Sequence, residues 1–110
     1  MLQAGCKVWL EKDGEKIFGP GPALLLQKVE ALGSLRQAAF ALDMSYTKAW
    51  RLVRSLEAAL GIPILEKRIG GLEGGSSKLT PEAKALMNRY AKVEQEIEAA
   101  AAAIFRKHFP

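Results

Sequence analysis

Apolar and polar residues recur with two different periods along this chain, and the places where the period changes mark its elements. In "KVWLEKDGEKIF", Lys7 to Phe18, the apolar positions Val8, Leu10 and Ile17 share one face once the chain reverses at Asp13-Gly14. That dipeptide suits a two-residue hairpin turn, whose central positions favour positive φ. The register then sets Glu11 opposite Lys16 and Lys12 opposite Glu15, so opposite charges meet across the ladder. "GPGP", Gly19 to Pro22, stops the hairpin, because two prolines withdraw backbone donors and the glycines permit a sharp change of direction.

Beyond it the period becomes helical. From Ala23 to Leu32, Leu24, Leu25, Val29 and Leu32 follow a helix, with Gly33 placed to end it in the left-handed conformation. A short second helix follows, capped by Ser34 and burying Leu35, Ala38, Ala39 and Leu42, where paired alanines favour close helix contact. Leu42 to Ser45 form the link to a third helix, with Asp43 at the sharp turn and Ser45 as the next cap. This is helix-turn-helix punctuation.

The third helix, Ser45 to Leu60, is two-sided. At about 100° per residue, Ala49, Val53, Leu56 and Leu60 gather on one side with Leu52 near them, and Thr47, Arg51 and Arg54 fall near the opposite pole, adjoined by Lys48. Tyr46 and Trp50 lie on one flank, and Trp50 is assigned to the core rather than to a base-stacking platform. "IPILEKR" predicts a strand over Ile64 to Arg68, and "IGGLEGGSSKLT" a flexible tip between two strands, a wing. Its glycines do not form a nucleotide-phosphate loop, since no Gly-Lys-Ser/Thr stands at a helix entrance.

Thr80-Pro81-Glu82 starts the last helix: a capping hydroxyl, a proline in the first turn and an anion at the positive dipole end. It is predicted to run to about Lys107, roughly 40 Å. Ala83, Leu86, Tyr90, Val93, Ile97, Ala100 and Ile104 alternate steps of three and four, the spacing of a coiled-coil seam. A small globule covers such a rod poorly, so Leu86, Tyr90, Val93, Ile97 and Ile104 are expected to pair with a second copy; the alternative is a seam that packs back on its own domain.

Composition narrows the function classes. The 110 residues suffice for one domain, and 16 cations against 12 anions, a net +4, favour a polyanionic partner only mildly. One cysteine, Cys6, excludes an internal disulfide, and with neither a signal run nor about 18 consecutive apolar residues a soluble, cytoplasmic protein without membrane contact is expected. The only histidine, His108, lies at the opposite end from Cys6, so no cofactor, metal site or enzyme activity is expected.

The fold expected is mainly α with small β: a winged helix-turn-helix with an N-terminal β-hairpin over residues 1–80, and a long C-terminal dimerisation helix over 81–110. With these elements placed, the chain resembles the amino-terminal DNA-binding domain of ModE-type molybdate-responsive regulators, chiefly in "MSYTKAW" and "EKRIGGLEGGSSKLT". "GSLRQAAFALDMS" and "LEAALGIPILEKR" are similar to the winged helices of LysR-type regulators as well. The resemblance implies a homodimer that reads operator DNA with its third helix in the major groove. Two departures are Asp43, where such turns usually carry Gly, and the lack of the oxyanion-sensing domains of full-length members, so no molybdate site is expected in this chain.

An α-helix fits the major groove, and its first turns and outer face reach base edges. That selects Tyr46, Thr47, Lys48 and Arg51 for base reading, Arg51 through its two-pronged guanidinium. Ser34, Arg36, Ser45, Arg54, Lys67, Arg68, Ser76, Ser77 and Lys78 are assigned to phosphates, which fix register without reading sequence. The competing readings are a merely solvated helix face, a wing that touches nothing, and a winged helix that serves as a protein-interaction or architectural scaffold.

Overall fold

The computed structural model describes residues 1–66 and 76–110. The hairpin comes first: β1 (Leu10–Lys12) pairs antiparallel with β2 (Glu15–Phe18) through Asp13 at φ 52° and Gly14 at φ 83°, the two positive angles that the Asp-Gly pair predicts. Glu11 faces Lys16 and Lys12 faces Glu15, as the charge pattern requires. The register then slips between Leu10 and Glu11, so that Leu10 pairs with Phe18 and Ile17 is the extra residue of a bulge. The consequence is that Phe18 turns inward, 2% exposed, its ring edge-on to Tyr90 at 5.0 Å and 89°.

Helix α1 (Pro20–Leu32) begins three residues earlier than the apolar spacing predicts, because Pro20 occupies a first-turn position where a missing amide costs nothing. Gly33 closes it at φ 71°, its amide donating to the Val29 carbonyl. In α2 (Leu35–Ala41), the Ser34 hydroxyl accepts from the Gln37 amide at 3.0 Å. The chain turns at Asp43, φ 54°, while the Met44 amide donates to the Ala39 carbonyl at 2.9 Å. Helix α3 (Tyr46–Leu60) starts with the Ser45 hydroxyl accepting from the Lys48 amide at 3.1 Å and ends at Gly61, φ 67°.

The three helices bury Leu25, Leu26 and Val29, then Leu35, Ala38 and Ala39, then Ala49, Val53 and Leu56, in one cluster. The paired alanines of α2, both buried, let its backbone approach the other two helices closely. After α3, Ile64 joins this core, and Leu65 bridges antiparallel to Leu79, with the Glu66 amide donating to Lys78 O and the Thr80 amide to Ile64 O. This short ladder flanks the glycine-rich run. The expected tip of the wing, including Lys67 and Arg68, lies outside the described residues.

Helix α4 (Pro81–His108) runs one residue beyond the predicted end. Thr80 is buried at its start, where its hydroxyl donates to the Pro63 carbonyl at 2.6 Å and accepts from the Ala83 amide at 3.0 Å. Ala83 and Tyr90 enter the core, and Leu86 and Met87 pack against it. From Val93 onward the helix leaves the globule, and the molecule is 60 Å long and 30 × 21 Å across.

Candidate nucleic-acid interface

The turn between α2 and α3 decides what α3 can present. Asp43 in the left-handed region reverses the chain within four residues, and Ser45 restarts it as a helix whose buried face is Ala49, Val53 and Leu56. A helix fixed by that face must show the opposite one to solvent. Thr47, Lys48, Arg51 and Arg54 are all exposed, together with Tyr46 at 36%. Between Asp43 and Glu66 the only acid is Glu57, against the three cations Lys48, Arg51 and Arg54. Lys48 also stands in the first turn of α3, where the macrodipole disfavours a cation and favours an anion.

Two guanidinium groups lie on aromatic faces along this flank. Arg36 of α2 stacks on Tyr46, 4.1 Å from the ring centre, and Arg54 lies 5.2 Å from the centre of the Trp50 ring. Trp50 is 41% exposed, which overturns its assignment to the core: at one flank of an amphipathic helix it sits beyond the reach of α1 and α2. Tyr46, Trp50, Arg54 and Glu57 form one wall of an open cleft of about 920 Å³, and Pro63, Ser76 and Ser77 contribute to the other.

The serines divide. Ser76 is exposed and Lys78 is exposed beside it. Ser77 is partly committed, its amide donating to Gly33 O at 2.8 Å and its hydroxyl accepting from the Leu35 amide at 3.2 Å, so it fastens the strand before α4 to the start of α2. Ser34 corrects the sequence reading: at 1% exposed, with its hydroxyl spent on Gln37, it is an internal cap and cannot meet a phosphate through its side chain. Ser45 is a cap too, but an exposed one.

The seam of α4 also divides. Tyr90 is 3% exposed, its hydroxyl donating to the Val8 carbonyl at 2.7 Å, so it cannot lie in an interface with a second chain as the heptad spacing had placed it. Its phenol is pushed up to about 12, first by burial and then by the neighbouring Glu94 carboxylate. Leu86 is half-buried against the same core. Val93, Ile97 and Ile104 stay exposed at 41%, 40% and 60%, a stripe outside the core cluster of the described residues. Near its end, Ala4 lines a shallow hollow with Ala101, Ile104 and Phe105, so the first residues run beside the last turns of α4, a feature without a signal in the sequence pattern.

Residues 24–84 match the sequence profile of the bacterial regulatory helix-turn-helix proteins of the lysR family, a segment that spans both helices of the turn and the ladder after them. The chain belongs to this family. As a lysR-family chain it is 33% identical over 79 residues to the transcriptional regulator ModE of Haemophilus influenzae, and 32% identical over 87 residues to the molybdenum-pterin-binding protein MopB of Rhodobacter capsulatus. Those alignments cover 72% and 79% of this chain but only 31% and 32% of the relatives, so the chain spans about a third of their length. The resemblance carried by "MSYTKAW" points to the same regulators.

In fold, this lysR-family chain matches the CbnR DNA-binding domain, solved in complex with DNA, with a TM-score of 0.60 and 21% identity over 82% of this chain and 97% of that one. The architecture is therefore that of a winged helix-turn-helix domain followed by a long helix. Among the described residues no group of three or more His, Cys, Asp or Glu side chains is placed to hold a metal ion, and no helix is long and apolar enough to cross a membrane.

Proposed function

We propose that this chain is the duplex-reading part of a transcriptional regulator, acting as a homodimer with α3 of each copy in a major groove. One observation carries the reading: the face of α3 opposite Ala49, Val53 and Leu56 is free and bears Thr47, Lys48, Arg51 and Arg54. Tyr46, Thr47, Lys48 and Arg51, on its first turns, read base edges; Arg51 pairs with guanine acceptors, and Thr47 meets a thymine methyl or donates a hydrogen bond. Arg36, Ser45, Arg54, Ser76 and Lys78 hold phosphates, joined by Lys67 and Arg68 of the wing and by what remains free of Ser77. A scaffold would have no need of these cations on one face beside the ladder.

Residues 1–80 form the reading domain in this proposal and 81–110 the dimerisation helix, whose first turns are shared with the core. Val93, Ile97 and Ile104 make the interface, with Leu86 at its inner edge; about 25 cal/mol for each Å² of apolar surface removed from water favours covering them. The relatives' names support a regulatory role, and the DNA in the CbnR structure supports a duplex partner. The site needs no cofactor.

Selection from random duplexes at fixed salt tests the function. The expected result is an enriched inverted repeat with half-sites about one helical turn apart. No enriched motif, with equal affinity for all sequences, would overturn it in favour of an architectural role.

A further inference from the structure

An exposed tryptophan on a helix that reads DNA through polar side chains needs its own account. Trp50 is 41% exposed and makes no part of the core, yet its ring is not idle: the Arg54 guanidinium lies 5.2 Å from its centre. On the other side, Nη1 of Arg54 is 3.9 Å from Oε1 of Glu57, one turn further along α3. The second carboxylate oxygen of Glu57 accepts from the Ile64 amide at 2.9 Å. The ring, the guanidinium, the carboxylate and the backbone of the segment entering the ladder thus form one chain of contacts along the wall of the cleft between α3 and Ser76–Ser77.

None of these contacts is strong, since the Arg54 side chain is 65% exposed and a surface ion pair at that distance is screened by water. Their effect is on freedom. A free arginine samples many rotamers and loses that freedom when it grips a phosphate, whereas one already lying on a flat ring loses less. Glu57 shares the cleft with Glu66, and its placement is explained by the Ile64 amide that it satisfies. Among the described residues the Trp50 side chain makes no hydrogen bond, and the cation on its ring is Arg54.

We infer that Trp50 is a positioning residue for Arg54: its ring, with Glu57 on the far side, holds the guanidinium at the rim of the cleft, where it meets one phosphate of the duplex. The inference rests on the proposal that α3 reads DNA. It makes the aromatic flank of α3 part of the phosphate grip, without any base stacking by Trp50 itself. Duplex DNA keeps its bases paired, so a ring that supports an arginine serves it better than a ring that seeks a base.

A double-mutant cycle on the full chain, with the duplex recovered by selection and with salt varied, tests it. Trp50→Ala and Arg54→Ala are each expected to weaken binding about fivefold, and each to lower the salt slope by up to about one. The double variant is expected to bind no worse than Arg54→Ala, and Trp50→Phe, which keeps a ring face, to regain most of the loss. Losses that multiply, an unchanged affinity for Trp50→Ala, or a Trp50→Phe variant as weak as Trp50→Ala would each overturn the inference. Helicity by circular dichroism checks folding; should Trp50→Ala lose its fold, Trp50→Leu, apolar but without a ring, replaces it in the cycle. Wild-type protein that binds no duplex would sink the proposed function instead, a result distinct from these.

Discussion

The Tyr90 hydroxyl donates to the Val8 carbonyl at 2.7 Å, tying the third turn of α4 to the residues that enter the hairpin. The same ring meets Phe18 edge-on, so one side chain joins the long helix to both ends of the hairpin. Tyr90→Phe keeps the ring and removes the bond; a loss of about 1 kcal/mol in urea unfolding is expected.

That phenol also sets a pH dependence. Its folded value is raised from the ordinary 10.0 to about 12, so the neutral form is the one the fold favours. Its contribution is complete below the unfolded value and is lost as pH rises from about 10 towards about 12. The stability difference between wild type and Tyr90→Phe, measured by urea midpoints, should shrink over that window. A difference that stays constant would show that the phenol is not shielded.

Thr80 serves two partners at once, Pro63 O and the Ala83 amide. Thr80→Ala leaves both without it in a buried place and is expected to cost about 2 kcal/mol, whereas Thr80→Ser keeps the hydroxyl and should cost less than about 1 kcal/mol. Thermal unfolding of the pair separates the hydroxyl's role from that of the lost methyl.

Asp43 stands at φ 54°, where a Cβ without a local hydrogen-bonding group is strained. Asp43→Ala is expected to destabilise by about 1 kcal/mol, and Asp43→Asn to be nearly neutral, since Asn tolerates the same region. Equal losses in the two would point to the carboxylate charge instead of the backbone.

The exposed stripe of α4 gives a prediction about assembly. Ile97→Asp places a charge at the centre of the stripe and should shift sedimentation from dimer to monomer while helicity is kept, because Ile97 is 40% exposed in the single chain. Tyr90→Phe should leave the oligomeric state unchanged.

For DNA, Arg51→Ala is expected to cost on the order of 1 to 3 kcal/mol and to relax preference at one position, and Lys78→Ala to weaken all duplexes alike with a smaller salt slope. Competition binding with single-position duplex variants distinguishes the two patterns.

The sequence disclosed most of the architecture because its signals were local. Asp13-Gly14, Gly33, Ser34, Asp43, Ser45 and Thr80 each act within a few residues of themselves, and each performs the turn or cap that its chemistry predicts. The errors came where the outcome depends on what lies across space. The bulge that sends Phe18 inward brings it against Tyr90, and periodicity within either element contains no trace of it. Heptad spacing shows that Tyr90 lies on the apolar side of α4, but not that Val8 and Phe18 would occupy that side first. Trp50 was misplaced because hydrophobicity alone puts a tryptophan inside, while the helix angle puts it at the border. The commitment of Ser34 to Gln37 was readable from its capping position and competes with any outside contact.

Helix α4 is anchored by its first turns and lies outside the core from Val93 to His108, roughly 22 Å of rod at 1.5 Å per residue, with the first residues of the chain beside its last turns. Such a rod acts as a lever with its fulcrum at Tyr90. In the proposed dimer a tilt of about 10° at that fulcrum would swing the two reading helices apart or together by several ångströms, comparable with the rise of one base pair or two. In that proposed dimer the Tyr90–Phe18 ring pair, 5.0 Å apart, would be the pivot that sets the distance between the two reading helices.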